Sequence, residues 1–499
     1  MSDTAAAALA NGLLKDLNNI TNEDRDEVVD AAKIRRERNR VCRQIIHEHD
    51  SLEKFKCIGL DGKRDRGSLI YAEIIDSSGQ SHREKSKAEI DHYTFTIESG
   101  PRKGEYLTHI GLKDPPTGLN IGKASYDVLE RHNSVDSLEA VLVDNTVANT
   151  GFKGGAVSSL EKLIGRRLHL IGCALHMNEL PLRKLYQELG GGLKSGKVLT
   201  GPIGKAIQTD IWRQNEVNFE PVPSGIGSIP ENVIDDLSTD QRLLLEYSRG
   251  VAEGKISTRF VHHRIGPFCQ SRWLTFAIRI LALYTRTNAP NKTLKTLVIF
   301  IQRIYSKYWF EYKKAKSFLD GPKILHGMIS DIKSLNFESE LHTSLMKTVQ
   351  RNAFCCLSEN FLASMMFSDN ENHRTIALER IKSISDSQCY GFFSEREKIP
   401  LINTSASYWI DLIDLNECKV IPPCLINWIK HGMQNLQNLQ PPDFPIHSQS
   451  VERAVQLTSV AVKKSFSLEK QRMSIVSKNK CRQLRPKFKS KSCYMFCMF

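Results

Sequence analysis

Apolar positions change their spacing along this chain of 499 residues, and each change marks a different kind of structure. From 55 to 110, short apolar runs alternate with polar turns: "FKCIGL" running to Asp61, then "GSLIYAEII", "HYTFTIE" and "EYLTHIGL". Gly100-Pro101 and Gly104 punctuate the series, a pattern that predicts strands. A helix is expected over 119–133, a strand over 139–144 and a helix over 155–164. "RLHLIGCAL" then reads as a strand leading into a helical "HMNELPLRKLYQEL". Strands followed by alternating strands and helices imply a mixed α/β sheet.

From about 233 to 435 the apolar period becomes 3.6, as in "DQRLLLEYSRGVAEG", "RWLTFAIRILALYTRT", "LKTLVIFIQRIYSKYWFEYKKAKSFL" and "LHTSLMKTVQRNAFCCLSENFLASMMF". This is a helical block with few strand candidates. "PPDFP" at 441–445 breaks it, and a last helix, "SQSVERAVQLTSVAVKKSF", leads into a basic tail. Residues 1–23 look flexible, and 24–50 are charged and helix-permissive. The fold class expected is therefore α/β plus α. It divides into a flexible, charged N-terminal segment 1–54, a first sheet-bearing part 55–225, a helical insertion 226–440 and a C-terminal helix with tail 441–499.

With 40% hydrophobic and 8% aromatic residues, this is the composition of a folded protein. The net charge of +13 favours an acidic partner, nucleic acid first and an anionic membrane surface second. The charge is uneven: Lys463 to Lys491 holds eleven Lys or Arg, beginning with Lys463 and Lys464, and one acid, Glu469. Twelve scattered cysteines read as reduced and intracellular. Asp3 and the lack of a basic region argue against a signal peptide. Arg279, Gln302 and Arg303 interrupt the most apolar segments, so no membrane partner is expected.

The stretch "EAVLVDNTVANTG" ends an apolar strand on Asp144. Asp and Asn are ordinary turn residues, but a strand can also hold an acid rigidly at a sheet edge. Asp61 lies late in the first strand, and Glu452 in the first turn of the late helix. Two acids at adjacent strand ends and a third from a helix could hold a pair of Mg²⁺ ions, because hard cations take carboxylate oxygen. The plainer readings stand beside this: Asp61-Gly62 is a common turn pair, and a helix dipole alone favours Glu452.

Cys173 and His176 form half of a zinc site, which wants four ligands. The pairs Cys418 with Cys424 and Cys493 with Cys497 lack histidine partners. Cys355-Cys356 reads as helix core, and His262 and His263 lie in a loop without an assigned role. "GGGLKSGK" at 190–197 fails the phosphate-loop spacing, since Lys197 is followed by Val198, so no nucleotide cofactor is expected.

"LVDNTVANTG", then "CALH" (Cys173, His176), "SRWLT" (Arg272, Trp273) and "SQSVERAVQLTSVA" (Glu452, Arg453), occur in an order that resembles the hAT superfamily of cut-and-paste transposases. The likeness is to transposon-derived proteins of invertebrate genomes carrying "NELPLR", "GPIGK", "DLSTDQ" and "QSVERAV", here at 178–183, 201–205, 236–241 and 449–455. It covers about residues 55–490. The resemblance implies an RNase H-like core interrupted by an all-helical domain, with Asp61, Asp144 and Glu452 as catalytic, Mg²⁺- or Mn²⁺-binding acids. Asp144 and Glu452 match on motif, whereas Asp61 rests on its strand position, with Asp65 and Asp91 as rivals. Cys173, His176, Arg272 and Arg453 would support the site or touch DNA. Trp273 would either stack on a displaced base or anchor a helix in the core.

Many hAT transposases begin with a zinc-binding DNA module, and residues 1–54 hold one cysteine, Cys42. Either the basic helix 34–44 replaces that module or the chain is a truncated or repurposed copy. The expected protein is thus a nuclear, DNA-binding, oligomeric transposase. The alternative is a catalytically inactive, transposon-derived DNA-binding or scaffold protein whose basic tail binds phosphate or directs nuclear import.

Overall fold

The structure, a computed structural model, describes residues 2–17, 28–51, 54–75, 80–194, 198–268, 271–383, 398–418, 425, 440–447 and 449–483. Its centre is a five-stranded mixed sheet in the order β3-β2-β1-β4-β5, built from β1 (Cys57–Ile75), β2 (Ser81–Ile97), β3 (Glu105–Leu112), β4 (Ala140–Val143) and β5 (His169–Gly172). β1, β2 and β3 run antiparallel, while β4 and β5 lie parallel to β1.

The two runs expected as separate first strands, "FKCIGL" and "GSLIYAEII", are one strand. The polar stretch between them stays in the ladder because β2 supplies its counter-charges, Arg64 facing Asp91 at 2.9 Å and Arg66 facing Glu89 at 3.0 Å. Gly67 at φ 84 absorbs the bulge between Arg66 and Ser68. The strand reading for β4 and β5 holds, with narrower bounds. Each is buried along its whole length, as parallel strands covered on both faces are.

Alternation along the strands divides the interior. Ile58, Leu60, Val141 and Val143 point into a core completed by Ile121, Val128 and Leu129 of the helix Gly118–Arg131 and by Val157 and Leu160 of the helix Ala156–Ile164. Cys57, Ala140, Leu142 and Ile171 join the opposite core, which continues through Leu182 and Leu185 of the helix Ala174–Glu188 into the helical region. That region includes Thr239–Glu253, Leu274–Tyr284, Ser306–Lys314, Gly321–Ser334, Ser339–Arg351, Ser358–Met366 and Glu371–Ser383.

Some boundaries differ from those expected. The apolar run 341–367 is not one helix. It breaks after Arg351, and Cys355 and Cys356 are buried in a 3-10 turn, not in a helix. Beyond Ser383, residues 398–418 contain only the short 3-10 turns Trp409–Leu412 and Leu415–Glu417. The N-terminal segment expected to be flexible is helical over Asp3–Asp16, capped by Ser2. The helix Ala31–Ser51 docks through Cys42 and Ile46 onto Tyr106, Ala454, Ala461 and Met473, a small third core. Two buried apolar side chains, with Ile45 beside them, on a highly charged helix give too weak a pattern to show that docking in advance. Among the described residues no helix is long and apolar enough to cross a membrane.

Candidate active site

Register brings the first two acids together. Gly59 of β1 pairs with Leu142 of β4, the last parallel pair between these strands. Asp61 and Asp144 each lie two residues beyond it. Side chains alternate faces along a strand, so both acids point to the face of Cys57, Ala140 and Leu142. The helix Gln449–Ala461 crosses β1 and β2 on that face. It comes close because residue 59 is glycine: a Cβ there would lie 2.5 Å from Val451 Cγ2. Glu452 follows Val451, and its carboxylate accepts a hydrogen bond from Arg272 Nε at 2.8 Å.

Arg272 reaches this position from an unusual backbone. Arg272 and Trp273 take left-handed φ values of 51° and 53° immediately before the helix Leu274–Tyr284, a conformation that costs about 1 kcal/mol or more for side chains of this size. Tyr305 Oη donates to the Arg272 carbonyl at 2.6 Å and helps to hold the turn. The kink sends Arg272 among the acids and Trp273 into the core.

The charges interact strongly. Burial, and then the Asp144 charge, push the Asp61 carboxyl up to about 7; Arg272 opposes this and Glu452 adds to it. Burial lifts the Glu179 carboxyl, on the helix Ala174–Glu188, to about 8, with Arg272 and Arg183 opposing. For Arg272 burial disfavours the charge, but Cys173, Glu452, Glu179 and Asp61 outweigh it and hold the guanidinium charged. Burial draws the Lys313 ammonium down to about 8 against the pull of Glu452, and Lys313 Nζ donates to Gln449 Oε1 at 2.8 Å in the first turn of the Glu452 helix. Three carboxylates, those of Asp61, Glu179 and Glu452, thus share one arginine.

Asp144 also serves its turn. Its Oδ1 accepts from Thr146 Oγ1 at 2.7 Å, Thr146 N at 3.2 Å and Asn149 Nδ2 at 2.6 Å, while Oδ2 lies 3.9 Å from His176 Nδ1. That last contact is not an ion pair. Burial and Arg272 lower the His176 pKa to about 4, and Nδ1 accepts from the Asn145 N–H at 3.1 Å. His176 is therefore a neutral prop for the Asp144 turn.

The remaining sequence candidates separate. Cys173 and His176 do not share a ligand: the Cys173 thiol meets His447 Nδ1 at 3.2 Å, and burial raises its pKa. Cys173 is too buried to touch DNA. Trp273, 1% exposed, packs against Tyr186, Phe268 and Phe276, so it is a core anchor and presents no face to a base. Arg453 lies beside Glu452 at the edge of a cleft. Lys463 pairs with buried Asp65 at 3.1 Å, which removes its charge from general phosphate binding, whereas Lys464 is exposed. Asp65 also accepts from Ser459, and Asp91 pairs with Arg64, so neither rival first acid stands with Asp144.

Among the described residues no group of three or more His, Cys, Asp or Glu is assembled to hold a metal ion. Residues 192–194 and 198–200 of the Gly-rich stretch pair as a small hairpin, with 195–197 outside the described residues. Cys424, Cys493, Cys497 and the tail beyond 483 also lie outside them.

Sequence reasoning missed Glu179, Lys313 and His447. Glu179 sits in the quoted "NELPLR", yet a carboxylate in an amphipathic helix looks like a solvated one until its neighbours are known. Lys313 falls in a basic run at a helix end, and nothing local shows its burial. No protein-family model matches the chain, and a search of curated proteins gives no match.

Proposed function

We propose that the chain is a transposase-like protein of the hAT type, with an RNase H-like core that binds DNA and performs divalent-metal-dependent phosphodiester hydrolysis and strand transfer. One observation carries the reading: Asp61 on β1 and Asp144 directly after β4 each lie two residues past the last register pair, Gly59 with Leu142, and their charges act on each other beside the helix that bears Glu452. An acid on β1, which lies inside the strand and not at its end as expected, an acid directly after β4, a helical block and then a Glu-Arg helix on the same sheet follow the order the resemblance calls for. A nuclear location, a DNA partner and assembly of several copies accompany this reading.

By the chemistry of their oxygen donors Asp61, Asp144 and Glu452 would be the residues to hold a hard divalent cation, Mg²⁺ or Mn²⁺, once Glu452 leaves Arg272, since the three are not gathered as a ligand group here. Ionisation of Asp61 is suppressed by burial and by two neighbouring carboxylates, with Arg272 as the counter-charge. Such an ion supplies Lewis acidity toward a phosphate oxygen and neutralises transition-state charge. The protein's own part is positional. Thr146 and Asn149 fix Asp144, Gly59 lets the Glu452 helix close on β1, and Arg272 holds Glu452. Alanine at Asp144 should abolish metal-dependent cleavage of a labelled duplex while leaving binding nearly unchanged. Unaltered cleavage by that variant contradicts the assignment.

A second reading has its own support. Arg272 already neutralises Glu452, and the acids form no ready metal cage among the described residues. A catalytically inactive, transposon-derived DNA-binding protein could keep that arrangement unchanged. It would bind duplex DNA yet show no cleavage with either cation.

A further inference from the structure

A cleft of about 1150 Å³ opens beside the acid cluster, between the helix Ala31–Ser51, the helix Gln449–Ala461 and the helix Leu468–Gln483. Arg272 and Glu452 belong to its lining, so cleft and acids are continuous. One wall carries Arg35, Arg38 and Arg43, and another Lys470 and Lys478. The carboxylates lining it are Asp240, Glu452 and Glu469, fewer than the cations. Two of those acids are engaged, Glu452 by Arg272 and Glu469 by Arg43. Arg38 is held by Asp3. Among the described residues no ion pair claims Arg35, Lys470 or Lys478, and all three are exposed.

Like charges gathered in a concave site repel one another and focus a positive field. Here they are fixed by the small core of Cys42, Ile46, Ala454 and Met473, which joins helices far apart in sequence. The Arg43–Glu469 pair is exposed, with side chains 65% and 56% accessible, so a phosphate can displace it easily. The cleft exceeds the size of an ordinary small-ligand pocket and leads to Glu452, which suits a polymer segment.

We propose that this cleft is the track for the phosphodiester backbone of a DNA strand delivered to the acid cluster, with the N-terminal helix Ala31–Ser51 as one of its walls. This inference rests on the function proposed above and adds where the substrate lies and what holds it. No base reading is implied, because the contacts are charge to phosphate.

The test uses the full chain and a fluorescent DNA duplex, with affinity measured over a salt series. The cleft variant combines Arg35→Glu, Lys470→Glu and Lys478→Glu. The control combines Lys292→Glu, Lys333→Glu and Lys347→Glu, exposed on the helical region. Each lost phosphate contact lowers the slope of log K against log salt by about 0.9, so the cleft variant should lose about 2–3 in slope and at least about tenfold in affinity. The control should change far less. An alanine version of the cleft variant, with an unchanged melting temperature, guards against a folding effect. An unchanged slope in the cleft variant, or equal losses in cleft and control variants, overturns the proposal. The two claims fail separately: loss of cleavage in Asp144→Ala with an unaltered slope in the cleft variant keeps the proposed function and removes the track.

Discussion

Arg272 is the counter-charge for Asp61, Glu179 and Glu452 together. Breaking a buried ion pair by removing one partner leaves an uncompensated charge, so Arg272→Ala should destabilise the fold by about 3 kcal/mol, read from denaturant midpoints. Lysine should recover only part of this, because it lacks the Nε–H that donates to Glu452. The acids also set a pH dependence. Asp61 and Glu179 have folded pKa values near 7 and 8, raised from 3.8 and 4.5, so the folded state holds protons that the unfolded chain releases. The contribution of these two acids to the stability of the metal-free protein should therefore fall as pH climbs from about 4 to about 8, against the opposite trend from His109 and His176, whose pKa values, lowered to about 4 from 6.5, favour the fold as pH rises. Asp61→Asn and Glu179→Gln should each flatten that decline and stabilise the protein at pH 8 by about 1–2 kcal/mol, read as melting temperature against pH. Trp273→Ala should cost about 3–5 kcal/mol as a core truncation. Trp273→Phe should bind DNA like wild type; a binding loss in the phenylalanine variant without a stability loss would restore the stacking role.

Between elements, the decisive contact is the helix Gln449–Ala461 lying on β1. Gly59→Ala would drive a methyl into Val451 and press on Thr96 and Glu98. It should destabilise by about 1–3 kcal/mol, as overpacking does, and impair cleavage more than DNA binding. Several elements were readable in advance because their signals are local. β4 and β5 are short apolar runs, and the helix Thr239–Glu253 begins with a Ser238–Gln241 capping box. β1 was not readable as one strand, because Lys63-Arg64-Asp65-Arg66 looks like a turn until Glu89 and Asp91 are known to face it. For the site, Asp144 and Glu452 carried motif signals, whereas the choice of Asp61 over Asp65 depended on how far along β1 each lies. Even spacing gives Asp61 the face of Cys57 and Gly59. Asp65 shares that parity, but it sits farther along the strand and is engaged by Ser459 and Lys463. Residue identity alone does not show that distance.

Across the whole molecule, residues from both chain ends build the surroundings of Glu452. The sheet supplies two acids, the helical region supplies Arg272 and Lys313, and the N-terminal helix closes the third core. This explains why a mostly local reading named Asp144, Glu452 and Arg272 and missed Glu179, Lys313 and His447, whose burial depends on distant elements. It also locates the central claim, that Asp61, Asp144 and Glu452 act as one divalent-metal site. Calorimetric titration of Mg²⁺ or Mn²⁺ into the wild-type chain and into Asp61→Asn, Asp144→Asn, Glu452→Gln and Asp91→Asn tests it most directly. The account predicts saturable binding in wild type, its loss in each of the first three variants, and its retention in Asp91→Asn. Binding that persists in Glu452→Gln, or no binding by the wild-type chain, would contradict it.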